Sequence, residues 1–223
     1  MEPFIYSPPP PGPLPILYED ACLLALDKPA GLLSVPGRLA EHRDSLYTRV
    51  LALHPQAMVV HRLDLATSGV IVIAKTRDAN RKLSRQFQER RVEKLYEAVV
   101  EGVPADGQGL IDLPLICDWP NRPRQIVDHS QGKPSQTAWQ ALEPAQVGGR
   151  VGTRVRLRPL TGRSHQLRVH LAEIGHPIFG DRFYASPDGA DAAERLLLHA
   201  RDLQLVHPED DSRILRFQAP YPF

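Results

Sequence analysis

Short runs of apolar and β-branched residues recur along most of the chain, and they place the strongest constraint on its fold. The runs lie at 22–26, 70–74, 96–100, 137–142, 151–157, 203–206 and 214–217. Runs of this length, bounded by turn residues, predict β-strands, and they do not alternate with helices in the regular way that a parallel sheet requires. The sequence therefore predicts an α+β fold with a mixed or mostly antiparallel sheet and a few helices.

Two segments have the residue spacing of amphipathic helices, namely 77–91 and about 165–174. In both, apolar residues three or four positions apart share one side of the helix. Ser164 is suited to cap the second helix, because its hydroxyl can accept hydrogen bonds from the first backbone amides. Gly175 is suited to end it, because glycine tolerates a left-handed turn.

Composition narrows the class of protein. The chain has 223 residues, of which 42% are hydrophobic, and no apolar run approaches the length of about 20 residues that a membrane span requires. The N-terminus lacks the basic start and apolar run of a signal peptide. Cys22 and Cys117 form no closely spaced pair, which favours a reducing, cytoplasmic setting without disulfides or a cysteine metal site.

Prolines divide the chain into two parts. Residues 1–15 contain seven prolines and no lysine or arginine, which predicts an extended, flexible arm. Residues 16–223 carry all the predicted strands and helices and are expected to form one domain.

The formal net charge is only +1, but the basic residues are concentrated in two segments. Residues 75–94 hold eight basic and three acidic side chains, and residues 150–170 hold six arginines and no acid. Strand alternation places Arg154, Arg156 and Arg158 on one face. Like charges on one strand face repel each other, so this face favours a polyanionic partner, with nucleic acid the leading candidate. For 75–94, a solvated helix face is an equally good explanation.

The most informative stretch is H-R-L-D-L-A-T-S-G-V at 61–70, directly before an apolar strand. Asp64 would lie on a loop supported by a rigid strand, where catalytic groups are commonly presented. Thr67, Ser68 and Gly69 predict a tight turn. Taken alone, the stretch is explained more simply by an ion pair between Asp64 and Arg62 or by a turn cap.

Two further stretches change that interpretation: T-G-R-S-H-Q-L-R-V-H at 161–170 and K-L-Y at 94–96. Together with the Asp64 loop they resemble the RluA family of pseudouridine synthases. K-P-A-G-L at 28–32, G-D-R at 180–182 and L-L-L-H-A at 196–200 extend the resemblance, in the same order, over about residues 16–220. Within that family, the chain resembles short members that modify both 23S rRNA and tRNA. The resemblance implies that residues 16–223 form one catalytic domain, without an S4 RNA-binding domain.

The resemblance implies a bent, mostly antiparallel sheet and an isomerase that converts uridine to pseudouridine in RNA without a cofactor or metal. The C1′–N1 bond breaks, the uracil turns, and its C5 joins C1′, so no atom is lost and one carboxylate suffices where glycosidases use two. Asp64 would be that carboxylate. It could attack the sugar, stabilise oxocarbenium-like charge or remove a proton from C2′.

The resemblance also implies roles for other residues. Arg163 would pair with Asp64 and keep it ionised, and Tyr96 would stack on the displaced uracil and relay its C5 proton. Arg62 would occupy the space that the flipped base leaves. RNA contacts are expected from His61, Arg62, Arg154, Arg156, Arg158, His165 and Gln166. His165 and His170 are five positions apart and do not form a helical metal pair.

Two other functions are compatible with parts of this pattern. A non-catalytic RNA-binding module would use the same arginine face and would not need Asp64, Tyr96 or Arg163. A metal-dependent hydrolase or nuclease would need a carboxylate cluster or close histidine pairs, which the motifs do not provide. The sequence favours the enzyme, with RNA as its partner, no membrane association and a monomeric state.

Overall fold

A computed structural model describes residues 5–223. Its α-helices and β-strands, in chain order, are β1 (Ile16–Glu19), β2 (Leu23–Lys28), α1 (Leu46–Leu51), β3 (Met58–Val59), β4 (Ser68–Ala74), α2 (Arg77–Gln88), β5 (Glu93–Glu101), β6 (Gln108–Asp112), β7 (Leu115–Cys117), β8 (Gln125–Val127), β9 (Gln136–Val147), β10 (Arg150–Pro159), α3 (Gln166–Glu173), α4 (Pro187–Asp191), β11 (Leu198–His207) and β12 (Asp210–Gln218).

The chain divides into two compact units. The first contains the described residues up to Glu93 together with Ala200–Tyr221, and the second contains Lys94–His199 with Pro222–Phe223. Strand β11 therefore begins in the second unit and continues in the first.

The first unit is built around β4, in which all seven residues are buried. Its neighbours β2 and β3 both pair with it antiparallel, β1 pairs with β2, and β12 pairs with β11. Apolar side chains from these strands and from α2 form one core cluster, which includes Leu23, Val72, Leu83, Leu205 and Phe217. Burial on both faces explains why β4 reads in the sequence as a continuous apolar run instead of an alternating one.

Helix α2 packs its apolar side on this core. The Thr76 side chain accepts from the Ala79 backbone amide and so caps the N-terminus, while Ala79 and Leu83 are fully buried. The helix ends at Gln88, earlier than the predicted limit of 91, because the chain turns into the left-handed region at Arg90, with φ 57°.

The second unit contains an antiparallel arrangement in the order β5–β10–β9–β6, and a separate hairpin of β7 and β8. Along β10 the side chains alternate as predicted. Val155 and Leu157 are fully buried, whereas Arg154, Arg156 and Arg158 lie on the opposite face and are half-buried or exposed.

Helix α3 begins and ends close to the predicted positions, and Gly175, with φ 82°, follows its last turn as expected. The prediction that Ser164 caps the helix is wrong. The N-cap is His165, which has a left-handed backbone with φ 53° and makes no side-chain capping hydrogen bond. The Gln166 backbone amide already donates to the Arg163 carbonyl at 3.2 Å, and the first helical hydrogen bond runs from the Val169 amide to the His165 carbonyl at 3.0 Å, which leaves Ser164 outside the helix.

The α+β class with a mostly antiparallel sheet is confirmed, and all seven predicted strand segments are strands. The predictions omitted α1, α4 and the short strands β1, β3, β6, β7 and β8. From Ile5 onward, no helix is both long enough and apolar enough to cross a bilayer.

Part of the proline-rich arm is hydrogen-bonded to the rest of the first unit. The Tyr6 hydroxyl donates to the Asp44 carbonyl at 2.9 Å, and Arg49 of α1 donates to the carbonyl of Pro9 at 2.6 Å. The flexibility of residues 1–15 remains a prediction, and residues 1–4 of this arm lie outside the described residues.

Gly69 should be the least replaceable glycine of the first unit. Its φ is 112°, and a Cβ at this position would overlap the backbone carbonyl of Ala200. We expect Gly69→Ala to lower the free energy of unfolding by about 3 kcal/mol, because strain and overpacking add. Gly149→Ala is the control, since Gly149 has φ 76° but nothing within 4 Å of a Cβ, and should cost about 1 kcal/mol. Equal losses in urea denaturation would contradict the role of the Ala200 contact.

Candidate active site

Asp64 lies in the first unit, on the loop that leads into the buried strand β4. The turn of this loop is at Leu65 and Ala66, and the Thr67 amide closes it by donating to the Asp64 carbonyl at 3.2 Å. The predicted turn at Thr67–Gly69 is therefore wrong, because Ser68 and Gly69 already belong to β4. Asp64 itself is half-buried at the entrance to the most buried strand of the unit.

Ser34 holds the loop one residue before the carboxylate. Its hydroxyl donates to the Leu63 carbonyl at 2.7 Å and accepts from the Leu63 amide at 3.0 Å, and it is 4% exposed. The side chain thus satisfies both backbone groups of Leu63, as a neighbouring strand would.

Lys28 holds the loop on the other side of the carboxylate. Its side chain is completely buried, and its ammonium donates to the carbonyls of Pro29 and Leu32 at 2.8 Å and of Leu65 at 3.3 Å. The Leu65 carbonyl also accepts from the Gly31 amide at 2.9 Å. The 28–34 segment therefore fixes the backbone on both sides of Asp64.

His61 and Arg62 precede Asp64 on the same loop and have different environments. The His61 ring stacks on Phe87 of α2 with centroids 4.4 Å apart, and its Nε2 accepts from the Val72 amide at 2.9 Å. Arg62 is exposed. His61 therefore anchors the loop to the core, while Arg62 has the exposure that its predicted role requires.

Arg163 and Tyr96 lie in the second unit. Arg163 is exposed on the loop before α3, where its guanidinium donates to the Pro134 carbonyl through Nε at 3.4 Å. Tyr96 lies on β5 opposite Leu157 of β10. The predicted pairing of Arg163 with Asp64 remains a prediction.

Gln166 fixes the backbone that presents Arg163. Its Oε1 accepts from Thr161 Oγ1 at 2.7 Å and from the Arg163 amide, while its Nε2 donates to the Gln136 carbonyl at 2.9 Å and to Thr137 Oγ1 at 3.0 Å. The residue is 3% exposed. We correct its assignment as an RNA contact, because its buried amide is fully used in holding the loop to β9.

A buried ion pair holds helix α3, which follows the Arg163 loop. Arg168 donates through Nε and one terminal nitrogen to the two carboxylate oxygens of Asp181, both at 2.7 Å. Asp181 is 1% exposed and also accepts from the Phe183 amide. This two-point geometry gives the pair a defined orientation, and it explains why both the 161–170 stretch and the G-D-R stretch carry a charged residue.

His165 and His170 have structural partners. His165 Nδ1 lies 2.7 Å from the Tyr184 hydroxyl, and its ring stacks on Phe183. His170 is fully buried, with Nδ1 3.0 Å from Thr137 Oγ1 and Nε2 3.0 Å from the Leu113 carbonyl. Burial lowers the pKa of His170 below its ordinary value, which favours the neutral ring.

Lys94 lies near the Arg163 loop, with its ammonium 3.8 Å from the position of a Cβ on Gly162. Burial lowers the pKa of Lys94 below 10.5 because the ammonium loses hydration. This part of the second unit therefore holds one partly desolvated cation close to the exposed Arg163.

The arginines of β10 are partly neutralised by acids on the strands beside them. Arg154 forms ion pairs with Glu97 of β5 and, at 2.8 Å, with Glu143 of β9. Arg156 lies 4.0 Å from Glu97, which is 1% exposed. The repulsion that pointed to a polyanion is thus partly relieved within the protein, which weakens that argument, and the RNA-binding role of these arginines remains a prediction.

Three side chains of the first unit lie close enough to share one metal ion: Asp20, Cys22 and His207. Hydrogen bonds already occupy them. His207 Nδ1 accepts from the Glu209 amide at 3.2 Å, so the hydrogen is on Nε2, which donates to Asp20 at 2.9 Å. Burial, together with a hydrogen bond to Asp20, raises the pKa of the Cys22 thiol to about 12. The group is therefore better explained as a buried hydrogen-bond network that joins β1 and β2 to β11.

Comparison with known proteins gives this geometry its context. The family model described as RNA pseudouridylate synthase matches residues 22–173, more than half of the chain. The chain belongs to the RNA pseudouridylate synthase family.

Individual relatives agree with this result. The chain is 55% identical over 218 residues to the dual-specificity RNA pseudouridine synthase RluA of Escherichia coli strain K12, a match that covers 98% of each protein. It is 55% identical over 194 residues to the protein of the same name from Yersinia pestis, covering 87% of this chain and 93% of that one. Among solved structures, human RNA pseudouridylate synthase domain containing 1 has a TM-score of 0.80 at 31% identity, covering 100% of this chain and 87% of that one.

These findings confirm the resemblance read from the motifs, and the activity is that of an RNA pseudouridine synthase, an isomerase. The alternatives of a non-catalytic RNA-binding module and of a metal-dependent nuclease are set aside. Sequence reasoning missed Ser34, since a single serine in an apolar run gives no signal. It recognised Lys28 only as part of a motif and not as the group that holds the Asp64 loop.

Lys28→Met should lower the free energy of unfolding by about 3 kcal/mol, because three carbonyls lose a charged donor in a buried site. Lys75→Met is the matched control. The Lys75 ammonium is partly exposed, pairs with Glu19 and donates to one carbonyl, that of Asp20, both at 2.7 Å, and its loss should cost about 1 kcal/mol. Urea denaturation measures both variants, and equal losses would show that the buried lysine does not hold the loop.

Lys94→Met should remove part of the pH dependence of stability. Since the folded-state pKa of Lys94 is below 10.5, the unfolded chain binds more protons between that pKa and 10.5, and the wild type gains stability as pH rises through this window. The difference in unfolding free energy between the wild type and Lys94→Met should therefore shift in favour of the wild type towards pH 10.5. The exposed Lys133→Met substitution is the control, and a pH-independent difference for Lys94→Met would refute the prediction.

Proposed function

We propose that this enzyme isomerises specific uridines in two kinds of RNA, 23S rRNA and the anticodon stem-loop of tRNA, with Asp64 as the catalytic carboxylate. The observation that carries the catalytic assignment is the fixed backbone on both sides of Asp64, through Ser34 at Leu63 and Lys28 at Leu65. Dual specificity is supported by the name of the Escherichia coli relative and by identity over 98% of both chains.

A fixed carboxylate suits this reaction. The ribose carbon C1′ gains positive charge as its bond to N1 breaks, and a preorganised carboxylate stabilises such charge without first reorganising water. The detached uracil stays in the site, turns and bonds to C1′ through C5, while the C5 proton is removed and N1 gains a proton. The proton lost from C5 is balanced by the proton gained at N1, and the nucleotide is neither oxidised nor reduced. The reaction therefore calls for neither redox chemistry nor a cofactor.

The remaining roles follow from residue chemistry. Arg163 carries a planar guanidinium that suits a carboxylate, and Gln166 holds its backbone in place. Tyr96 supplies an aromatic face for the detached uracil and a hydroxyl for the C5 proton. Arg62 is exposed next to Asp64, which suits a side chain that fills the gap left by the flipped nucleotide.

We also propose that the protein acts as a monomer in the cytoplasm, where both kinds of RNA are present. The remaining RNA contacts are assigned to Arg62, Arg156 and Arg158, since all three are exposed. His61 and His165 support these contacts indirectly, through their stacking on Phe87 and Phe183.

Asp64→Asn tests the central assignment, because it keeps the size of the side chain and removes its charge. We expect pseudouridine formation to fall at least about 10³-fold on a 23S rRNA fragment and on a tRNA stem-loop, with Kd changed less than about twofold. Carbodiimide mapping with primer extension detects pseudouridine at each position. The matched control is Asp106→Asn, at an exposed turn, which should be fully active.

Near-normal turnover by Asp64→Asn would refute the catalytic role. Modification of only one of the two RNAs by the wild type would refute dual specificity and leave the role of Asp64 unaffected.

A further inference from the structure

The second unit presents a large aromatic side chain to solvent at the tip of a hairpin. Trp119 follows β7 and is 65% exposed, whereas the only other tryptophan of the sequence, Trp139, is 9% exposed. An exposed indole contributes little to a core, and tryptophan is enriched at interfaces because its ring is apolar while its N–H is polar.

The tip is held in one conformation by its own hydrogen bonds. The Asp118 amide donates to the Arg124 carbonyl at 3.0 Å, and the Arg124 amide donates to the Asn121 carbonyl at 3.1 Å. The Asn121 amide donates to the Asp118 carbonyl at 3.0 Å, and its side chain donates to the Asp118 carboxylate at 2.9 Å. A preorganised tip loses little conformational entropy when Trp119 binds a partner.

Two arginines of the hairpin lie against aromatic rings. The Arg122 guanidinium lies 4.6 Å from the centre of the Trp119 ring, and the Arg124 guanidinium lies 5.4 Å from that of Tyr184. Both arginines are exposed. Aromatic faces next to guanidinium groups match the two chemical features of single-stranded RNA, namely flat unpaired bases and anionic phosphates.

A hydrogen-bonded path connects the hairpin to the loop that carries Arg163. The Gln125 amide of β8 donates to the Tyr184 hydroxyl at 2.8 Å, and the same hydroxyl lies 2.7 Å from His165 Nδ1. Burial raises the pKa of Tyr184 to about 12, so the hydroxyl keeps its proton and can bond both partners. The hairpin is thus positioned with respect to the 161–170 loop.

We propose that Trp119 and Arg122 form a specificity-determining RNA contact, in which the indole stacks on an unpaired base of the substrate loop and the guanidinium binds a neighbouring phosphate. This inference rests on the proposed function and deepens it, because it restricts the substrate to RNA that carries an unpaired base in addition to the target uridine.

Tryptophan fluorescence tests the contact directly. A tRNA anticodon stem-loop should quench the emission of the wild type, because a stacked base removes the excitation of Trp119. In Trp119→Phe the remaining emission comes from the largely buried Trp139 and should not change. A fully paired RNA duplex of the same length is the control ligand and should quench far less.

Steady-state kinetics test how much the Trp119 contact contributes to the reaction. Trp119→Ala should raise the KM for the stem-loop about 10-fold, with kcat within twofold of the wild type, because one stacking contact is lost. Trp119→Phe should retain most of the affinity, since phenylalanine also stacks. Thermal unfolding of each variant should match the wild type, as the side chain is mostly exposed.

The outcomes separate this inference from the proposed function. If the wild type forms pseudouridine while its emission does not change and Trp119→Ala keeps its KM, the stacking contact is refuted and the proposed function stands. Equal quenching in Trp119→Phe would assign the effect to Trp139 and also refute the contact. If the wild type converts neither RNA, the proposed function fails, and the quenching experiment still decides the contact.

Discussion

The burial of one ammonium group, that of Lys28, governs how the first unit presents Asp64. A lysine without solvent exposure is stable only if its charge is met by acceptors, and here these include three backbone carbonyls. Two of these carbonyls lie in the 29–32 segment and the third belongs to Leu65. Because one buried ammonium binds all three, it joins two loops that are far apart in the sequence. The position of Asp64 is a consequence of that requirement.

The second unit also uses buried polar groups to hold a functional loop, but these groups are an amide and an ion pair. The buried amide of Gln166 uses both its donors and its acceptor to hold the Arg163 loop against β9, and the pair of Arg168 and Asp181 holds the helix that follows. Neither group is available for substrate. In both units, polar groups that look functional in the sequence are used to position the residues beside them.

The charges along β10 also show that a sequence pattern does not by itself determine what a side chain does. The arginines alternate along β10 as the pattern predicts, yet Glu97, in the middle of the neighbouring strand, partly neutralises that face. Cross-strand pairs depend on register, which the sequence of β10 alone does not contain. The exposed Trp119 and Arg122, by contrast, lie against each other, with the guanidinium 4.6 Å from the centre of the ring, and form the surface that we propose for RNA.

The sequence by itself determined the α+β class, the seven main strands, helices α2 and α3 and the family, because apolar periodicity and motif order are local properties of the chain. It also identified Asp64, Tyr96 and Arg163 as candidates. Only the tertiary structure decided that Ser34 and Lys28 hold Asp64, that Gln166 is structural and that His165 begins α3 with a left-handed backbone. These facts depend on hydrogen bonds between segments distant in sequence, and a buried polar group takes its role from the partner that satisfies it, which only the folded chain brings within reach.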